Sequence, residues 1–327
     1  MTPLAERDIT IESYMDGADS LARDVRSGLG RPPGERELQP KYLYDEHGSE
    51  LFDRITRLPE YYPTRCERAI LNRHAPGLVE TTGARELVEL GSGTASKTRA
   101  LLYAMAGAGA LDRYVPFDVD PSVVENCAHE LTDLYPGLPV HGVVGDFQHH
   151  LGHVPAGERR LIAFLGSTIG NLLPSERGAF LAGVREMMGP SDRFLLGTDL
   201  LKEVGVLEAA YNDREGVTAA FNLNVLRVIN RELGADFDLE AFEHVATFDP
   251  GPSWVELRLR ARSEQRVSIP GADLELTLAP GEEIRTEVST KFTLDVLARE
   301  LASAGMELEA FFTDPAGMFG LSLAAPV

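Results

Sequence analysis

The sequence predicts an α/β protein: a doubly wound, mostly parallel sheet that carries a second, mixed α+β domain. Three observations lead there. Five short apolar runs lie between residues 87 and 199, with helical spacing in the segments between them. The first run ends in a glycine turn, Gly91-Ser-Gly93, and each of the others ends in an acid or a glycine. Beyond residue 201 this alternation stops and runs of period two take over.

Taken in order, residues 1–40 are polar, with Gly28-Leu-Gly-Arg-Pro-Pro-Gly34 a loop and Asp19–Ser27 suited to a short helix. Lys41–Phe52 and Leu58–Thr64 hold two aromatic clusters, the second bracketed by prolines. Lacking strand alternation, they read as irregular structure, either a packed arm or a pocket wall. Arg65–Asn72 has helical spacing, and Leu87, Val88 and Leu90 form the first strand. A helix is expected from Ala95, with Thr94 or Ser96 as its cap. The second strand is Tyr114–Asp120, after which Pro121 opens a helix. The third is Val140–Phe147, the fourth Arg160–Gly166 and the fifth Asp192–Asp199. Their apolar runs call for a parallel sheet covered on both faces.

Glu208–Glu232 reads as one long helix with Val217, Phe221, Val225 and Val228 near one face. Trp254–Ala261, Gln265–Ile269 and Leu274–Leu278 read as antiparallel strands, followed by Ile284–Phe292. A helix over Leu294–Gly305 and a hairpin over Leu308–Leu323 close the chain. The expected division sets residues 66–201 with 291–327 as a ligand-binding core, and 13–65 with 202–290 as a substrate-binding domain.

Composition narrows the partners. A formal charge of −20 repels polyanions, which argues against nucleic acid and anionic membranes. Cys66 and Cys127 are the two cysteines, giving neither a disulfide framework nor a metal-ligand cluster, so no metal and a cytoplasmic setting are expected. Met1–Arg7 lacks the basic-then-apolar shape of a signal peptide. His149, His150 and His153 follow a strand, and without a thiol nearby they read as a solvated loop rather than a zinc site. A monomer acting on a small-molecule substrate is the expected form.

The chemistry lies at the strand ends. A strand, a glycine turn and a helix start make a cradle for a nucleotide-like ligand. Ser96 stands where a dinucleotide site would have its third glycine, and Glu89 precedes the turn; both fit S-adenosylmethionine (SAM) better than a nicotinamide. In this reading Gly91-Ser-Gly93 takes the methionine end and Asp118 accepts from the ribose hydroxyls. Asp146-Phe147 offers an acceptor and an apolar wall to adenine. Lys97, set on a helix's first turn against its dipole, calls for a carboxylate partner such as the ligand's own. The five βα units with an antiparallel closing hairpin match the Rossmann-like sheet of class I methyltransferases. Methyl transfer needs positioning and desolvation rather than a nucleophilic side chain, and no hydrolase elbow surrounds Ser167.

Longer motifs carry a resemblance. Lys41-Tyr-Leu-Tyr-Asp, Pro59-Glu-Tyr-Tyr-Pro, Glu89-Leu-Gly-Ser-Gly-Thr-Ala-Ser-Lys-Thr98, Gly145-Asp-Phe, Leu165-Gly-Ser-Thr-Ile-Gly-Asn-Leu, Tyr211-Asn-Asp, Gly216-Val-Thr-Ala-Ala-Phe-Asn222 and Thr286-Glu-Val-Ser289 together resemble the L-histidine Nα-methyltransferases of ergothioneine biosynthesis, over nearly the whole chain. The resemblance implies three methylations of histidine's α-amine, yielding hercynine. It implies SAM contacts at Tyr44, Gly91, Lys97, Asp118, Asp146 and Phe147. Tyr61, Asn171 and Tyr211 match positions around the substrate's amino and carboxylate groups, and Glu287 and Ser289 match the pair that holds the imidazole. Phe52 and Gly166 match residues near the reacting amine. Leu257 departs from the pattern, which has methionine beside the imidazole; the swap conserves volume. No histidine or lysine falls at the matched substrate positions, so no dedicated strong base is expected, and Tyr61, through water, is a candidate to pass protons outwards. The rival readings are methylation of another small amino acid or amine, an NAD-dependent oxidoreductase, and a silent scaffold of the same fold.

Overall fold

The structure, a computed structural model, describes residues 8–15, 18–93, 95 and 97–327, with Ala18 and Asp19 in backbone only. Met1–Arg7 and the expected caps Thr94 and Ser96 lie outside the described residues. The chain opens with β1 (Ile9–Ser13), α1 (Ala18–Leu29), α2 (Glu46–Ile55) and α3 (Pro63–Thr82). There follow β2 (Glu86–Leu90), α4 (Arg99–Gly107), β3 (Arg113–Asp118), α5 (Pro121–Leu134), β4 (Val140–Val144), β5 (Arg160–Phe164), α6 (Pro174–Met187) and β6 (Arg193–Asp199). Next come α7 (Val204–Ala210), α8 (Val217–Leu233), β7 (Phe242–Asp249), β8 (Trp254–Ala261), β9 (Gln265–Ile269), β10 (Leu274–Leu278) and β11 (Glu283–Thr290). The last elements are α9 (Leu294–Ser303), β12 (Met306–Thr313) and β13 (Phe319–Pro326). Two compact units divide the chain: residues up to 15 with 63–201 and 292–327, and residues 16–62 with 202–291.

The first unit is built on one sheet in the order β1-β4-β3-β2-β5-β6-β13-β12. Strands β1 to β6 run parallel, and β13 pairs antiparallel with β6 and with β12. This is the class I methyltransferase sheet with β1 added beside β4. Each face is packed. Leu87, Tyr114, Leu161 and Leu195 bury on one side, and Val88, Phe117, Ile162 and Phe194 on the other. Burial of both faces is why these strands are apolar runs rather than alternating ones. The order turns back between β2 and β5, so a crevice for a ligand opens beyond their carboxyl ends.

The second unit holds a three-stranded antiparallel sheet, β11-β8-β7, and the pair β10-β9. Its helices are α1, α2, α7 and α8.

Four local expectations are corrected. The stretch expected to be irregular, Lys41–Phe52, is a short 3-10 turn (Pro40–Leu43) followed by α2. Asp45 caps that helix by accepting from Gly48 N at 2.8 Å, while Gly48, Leu51 and Ile55 bury at helical spacing. The single helix expected over Glu208–Glu232 is broken between α7 and α8. Asp213 accepts from Val217 N and Thr218 N at 3.0 and 2.7 Å, and Gly216 takes φ +72°. That cap starts a new helix rather than continuing the old one. The helix expected from Ala95 starts at Arg99 instead, because Ala95 has φ +50°. Between β4 and β5 a 3-10 turn, Leu151–His153, replaces a full helix. Two strands went unread, β1 and β7, both with many half-buried or exposed positions.

Candidate functional site

In the first unit, the turn after β2 has an open backbone. Gly91 and Gly93 take φ +70° and +49°, and a Cβ added at Gly93 would meet nothing within 4 Å. Side chains are strained at such φ values, so glycine suits both positions; the turn is held by Gly91 N and Ser92 N, which donate to Phe117 O at 2.8 and 3.0 Å. Below it, Glu89 is 2% exposed and accepts from Tyr114 Oη at 2.5 Å and from Thr98 Oγ1. Burial pushes its carboxyl up to about 7, against the pull of those two donors. Glu89 thus ties the end of β2 to the residue that precedes α4.

Asp118, at the end of β3, accepts from Gly93 N at 2.9 Å and from Asp120 N at 3.2 Å. Burial raises its pKa while these backbone donors oppose the rise. The carboxylate therefore already aims at the glycine turn, and each oxygen keeps a lone pair for a ligand hydroxyl. Beyond β4, Asp146 accepts from Gln148 N at 2.9 Å. The Phe147 ring packs edge-on against Phe164 and Phe180 at 5.2 and 5.5 Å.

Lys97 sits ahead of α4, not on its first turn, and its partner is a residue of the chain. Its Nζ lies 2.9 Å from Glu67 Oε2, and Glu67 is fully buried. Glu67 Oε1 in turn accepts from Gly166 N at 2.8 Å. Gly166 takes φ +80°, and a Cβ there would come within 2.7 Å of Lys97 Nζ. One carboxylate of α3 thereby fixes the loop after β2 and the loop after β5. Asn171 ends the 3-10 turn Thr168–Asn171, and its side-chain amide has no hydrogen-bond partner among the described residues.

In the second unit, aromatic rings form a cluster, with Tyr44, Tyr61 and Tyr211 in edge-to-face contacts and Phe221 tilted against Phe52. Phe52 lies 5.4 Å from Tyr44, 6.2 Å from Tyr61 and 5.9 Å from Phe221; Tyr61 lies 6.2 Å from Tyr211. The Tyr211 hydroxyl is 2.8 Å from Ser289 Oγ, and Lys291 Nζ donates to both oxygens at 2.8 Å. Lys291 is 2% exposed and also lies 4.5 Å above the Tyr211 ring.

Glu287 is 8% exposed and has no hydrogen-bond donor among the described residues. Burial pushes it up to about 7, and Lys291 pulls the other way. Leu257 is its register partner on β8. His244 Nε2 donates to Tyr211 O at 2.8 Å and its Nδ1 accepts from Asn222 Nδ2 at 2.9 Å, which fixes a neutral ring; burial also lowers its pKa.

The residues expected at the site thus fall into two sets. Gly91, Lys97, Asp118, Asp146, Phe147, Gly166 and Asn171 belong to the first unit. Tyr44, Phe52, Tyr61, Tyr211, Leu257, Glu287 and Ser289 belong to the second, so the expected SAM contacts are drawn from both units. Sequence reasoning missed Lys291 and Glu67. Lys291 had a signal, because Glu287, Ser289 and Lys291 alternate along one strand. Glu67 had none, since nothing in the sequence ties α3 to loops that follow β2 and β5.

Comparison with known proteins adds to this geometry. A family model described as "Histidine-specific methyltransferase, SAM-dependent" matches residues 21–326. A histidine N-alpha-methyltransferase of Mycolicibacterium smegmatis is 53% identical over 97% of this chain and 99% of that protein. One from Mycobacterium tuberculosis is 52% identical over 94% and 95%. Ergothioneine biosynthesis protein 1 of Neurospora crassa is 30% identical over 88% of this chain and 33% of its own length. Among solved structures, a SAM-dependent methyltransferase from Clostridium acetobutylicum covers 85% of this chain and 98% of its own at 8% identity, with TM-score 0.49, too loose a likeness to argue from.

Proposed function

The chain belongs to the SAM-dependent, histidine-specific methyltransferases, and from that premise we propose that it converts L-histidine to Nα,Nα,Nα-trimethyl-L-histidine (hercynine), the first step of ergothioneine biosynthesis. The observation that carries the substrate is Glu287. A buried carboxylate without a donor among the described residues is costly unless a ligand supplies one, and an imidazole N–H does so. An amino acid lacking that N–H leaves Glu287 unpaired, which is how such a site rejects it.

SAM, when bound, supplies an electrophilic methyl to the α-nitrogen by in-line displacement. Gly91 and Gly93 leave room for its methionine end, Asp118 accepts from its ribose, and Asp146 and Phe147 hold its adenine. Ser289 shares the imidazole with Glu287, and Tyr211, its hydroxyl polarised by Lys291, donates to the substrate's carboxylate. Asn171 and Tyr61 orient the amino group, and Tyr61 relays its protons to water. Phe52 offers a ring face to the methylated ammonium, and the Gly166 carbonyl accepts from the amine. Leu257 fills the space beside the imidazole. The chain acts as a monomer in the cytoplasm, needs no metal, and divides its labour between a SAM-binding and a substrate-binding domain.

The test is mass spectrometry of a reaction containing SAM and an equimolar mixture of amino acids. Histidine should be consumed and appear with three added methyl groups, the other amino acids remaining. Methylation of a different amino acid in preference to histidine would overturn the substrate.

A further inference from the structure

The loop that follows β4 has a support that the methylation chemistry above does not use. Asp146 N–H donates to His150 Nδ1 at 3.0 Å. The bond closes a tight turn, because His149 N and His150 N both donate back to Asp146 O at 2.9 and 2.8 Å. Gly145 fits beneath the ring: a Cβ there would meet His150 Cβ at 3.0 Å and Phe117 Cζ at 3.1 Å. Gly145 N donates to Asp118 O at 2.8 Å, so the same turn reaches the end of β3.

Strand β1 backs this arrangement. Tyr14 N donates to Val144 O at 2.9 Å, which pins Tyr14 beside the end of β4. Its ring stacks on His153 at 3.7 Å and 16°, with the His150 ring 6.4 Å away. Titratable groups facing His150 include Tyr14 on β1, with Glu12 bonded to its hydroxyl, His149 and His153 on its own segment, and Asp146 across the turn.

We propose that His150 is a positioning residue for SAM: its neutral Nδ1 holds the Asp146 peptide so that Asp146 and Phe147 meet the adenine, and protonation of His150 releases that hold. An Nδ1 that accepts a hydrogen bond carries no proton, so the bond exists only in the neutral ring with its proton on Nε2. Binding of SAM and protonation of His150 therefore oppose one another. The inference rests on the reading that Asp146 and Phe147 take the adenine.

The experiment is calorimetric SAM affinity between about pH 8 and about pH 5.5 for the parent, His150→Asn, His150→Ala and Asp146→Ala. Asparagine can accept from Asp146 N but does not titrate. Its affinity should match the parent's at about pH 8 and exceed it about fivefold at about pH 5.5, the effect of one hydrogen bond. His150→Ala should bind weakly at both. Glu89 titrates in parent and His150→Asn alike, so their ratio isolates His150. A second readout needs no variant: in histidine-labelled parent, one imidazole should titrate at lower pH once saturated with S-adenosylhomocysteine. Parallel pH profiles of parent and His150→Asn, or histidine titrations unmoved by S-adenosylhomocysteine, would overturn the inference while leaving the function standing. If Asp146→Ala binds SAM like the parent, the adenine assignment falls and the inference with it.

Discussion

Lys291 and Tyr211 meet twice: the ammonium donates to the hydroxyl at 2.8 Å and lies 4.5 Å over the same ring. Both contacts are buried, and an ammonium that far from water is held there by acceptors and by the ring's negative face. The charge also acts on Glu287, whose carboxyl it draws down against burial. Replacing Lys291 by methionine keeps the stem and removes the charge. Histidine binding should weaken by about tenfold or more, since a charged hydrogen bond is worth about 1.5–3 kcal/mol. SAM affinity should stay within about twofold. Calorimetry with each ligand separately checks the split; equal losses for both would assign Lys291 a general structural role.

Glu287 links recognition to stability, with opposite signs. Its pKa rises from 4.5 in the free side chain to about 7 in the fold, because burial disfavours the carboxylate. Between those values the folded chain binds more protons than the unfolded one, so stability falls as pH rises from about 4.5 through about 7 and then levels off. The loss is at most about 3 kcal/mol. Glu287→Gln should therefore raise Tm at about pH 8 and gain much less at about pH 5.5, while histidine turnover drops. A Tm gain independent of pH would place the titration elsewhere.

The legible parts of the fold were those fixed by local pattern. Buried strands β2 to β6 show as apolar runs, and the glycine turn shows as a break in them. Two edge strands were not legible: β1 gains its partner only from β4, 127 or more positions further on, and β7 is half-buried along most of its length. The α7–α8 break was carried by Asp213 and Gly216, whose capping outcompeted an apolar period that ran through both helices. At the site, the expected residues came from motif resemblance. Glu67 was not, because its role is purely tertiary.

That tertiary role predicts a graded loss. Glu67→Ala would leave the Gly166 N–H and Lys97 without their carboxylate, and should lower stability by about 2–4 kcal/mol in denaturant unfolding. Glu67→Gln keeps an acceptor for Gly166 N and should lose less than half as much. Lys97 would then lack its counter-charge, so SAM affinity should respond to salt more steeply in Glu67→Gln than in the parent. If Gln and Ala are equally destabilising, the ion pair rather than the Gly166 bond holds the two loops.

The aromatic cluster predicts how three methyl groups come to rest on one nitrogen. Each of the first two transfers leaves an ammonium that has lost an N–H but remains cationic when protonated. Hydrogen-bond acceptors hold such intermediates progressively less well, whereas ring faces hold them as well or better. Phe52 has Tyr44, Tyr61 and Phe221 within 6.2 Å, so its ring is fixed by neighbours and offers a preset surface. With SAM limiting, the parent should release the trimethyl product early, with little free mono- or dimethylhistidine. Phe52→Leu keeps an apolar side chain and removes the ring, so the intermediates should escape and dominate the product. Cation–ring contacts of about 0.5–2 kcal/mol correspond to a shift in partition of about 2- to 30-fold. The check is chromatography of the methylated histidines over a time course. Accumulation of monomethylhistidine in the parent before any trimethyl form appears would show that the intermediates are not retained, and Phe52 would then be a packing residue.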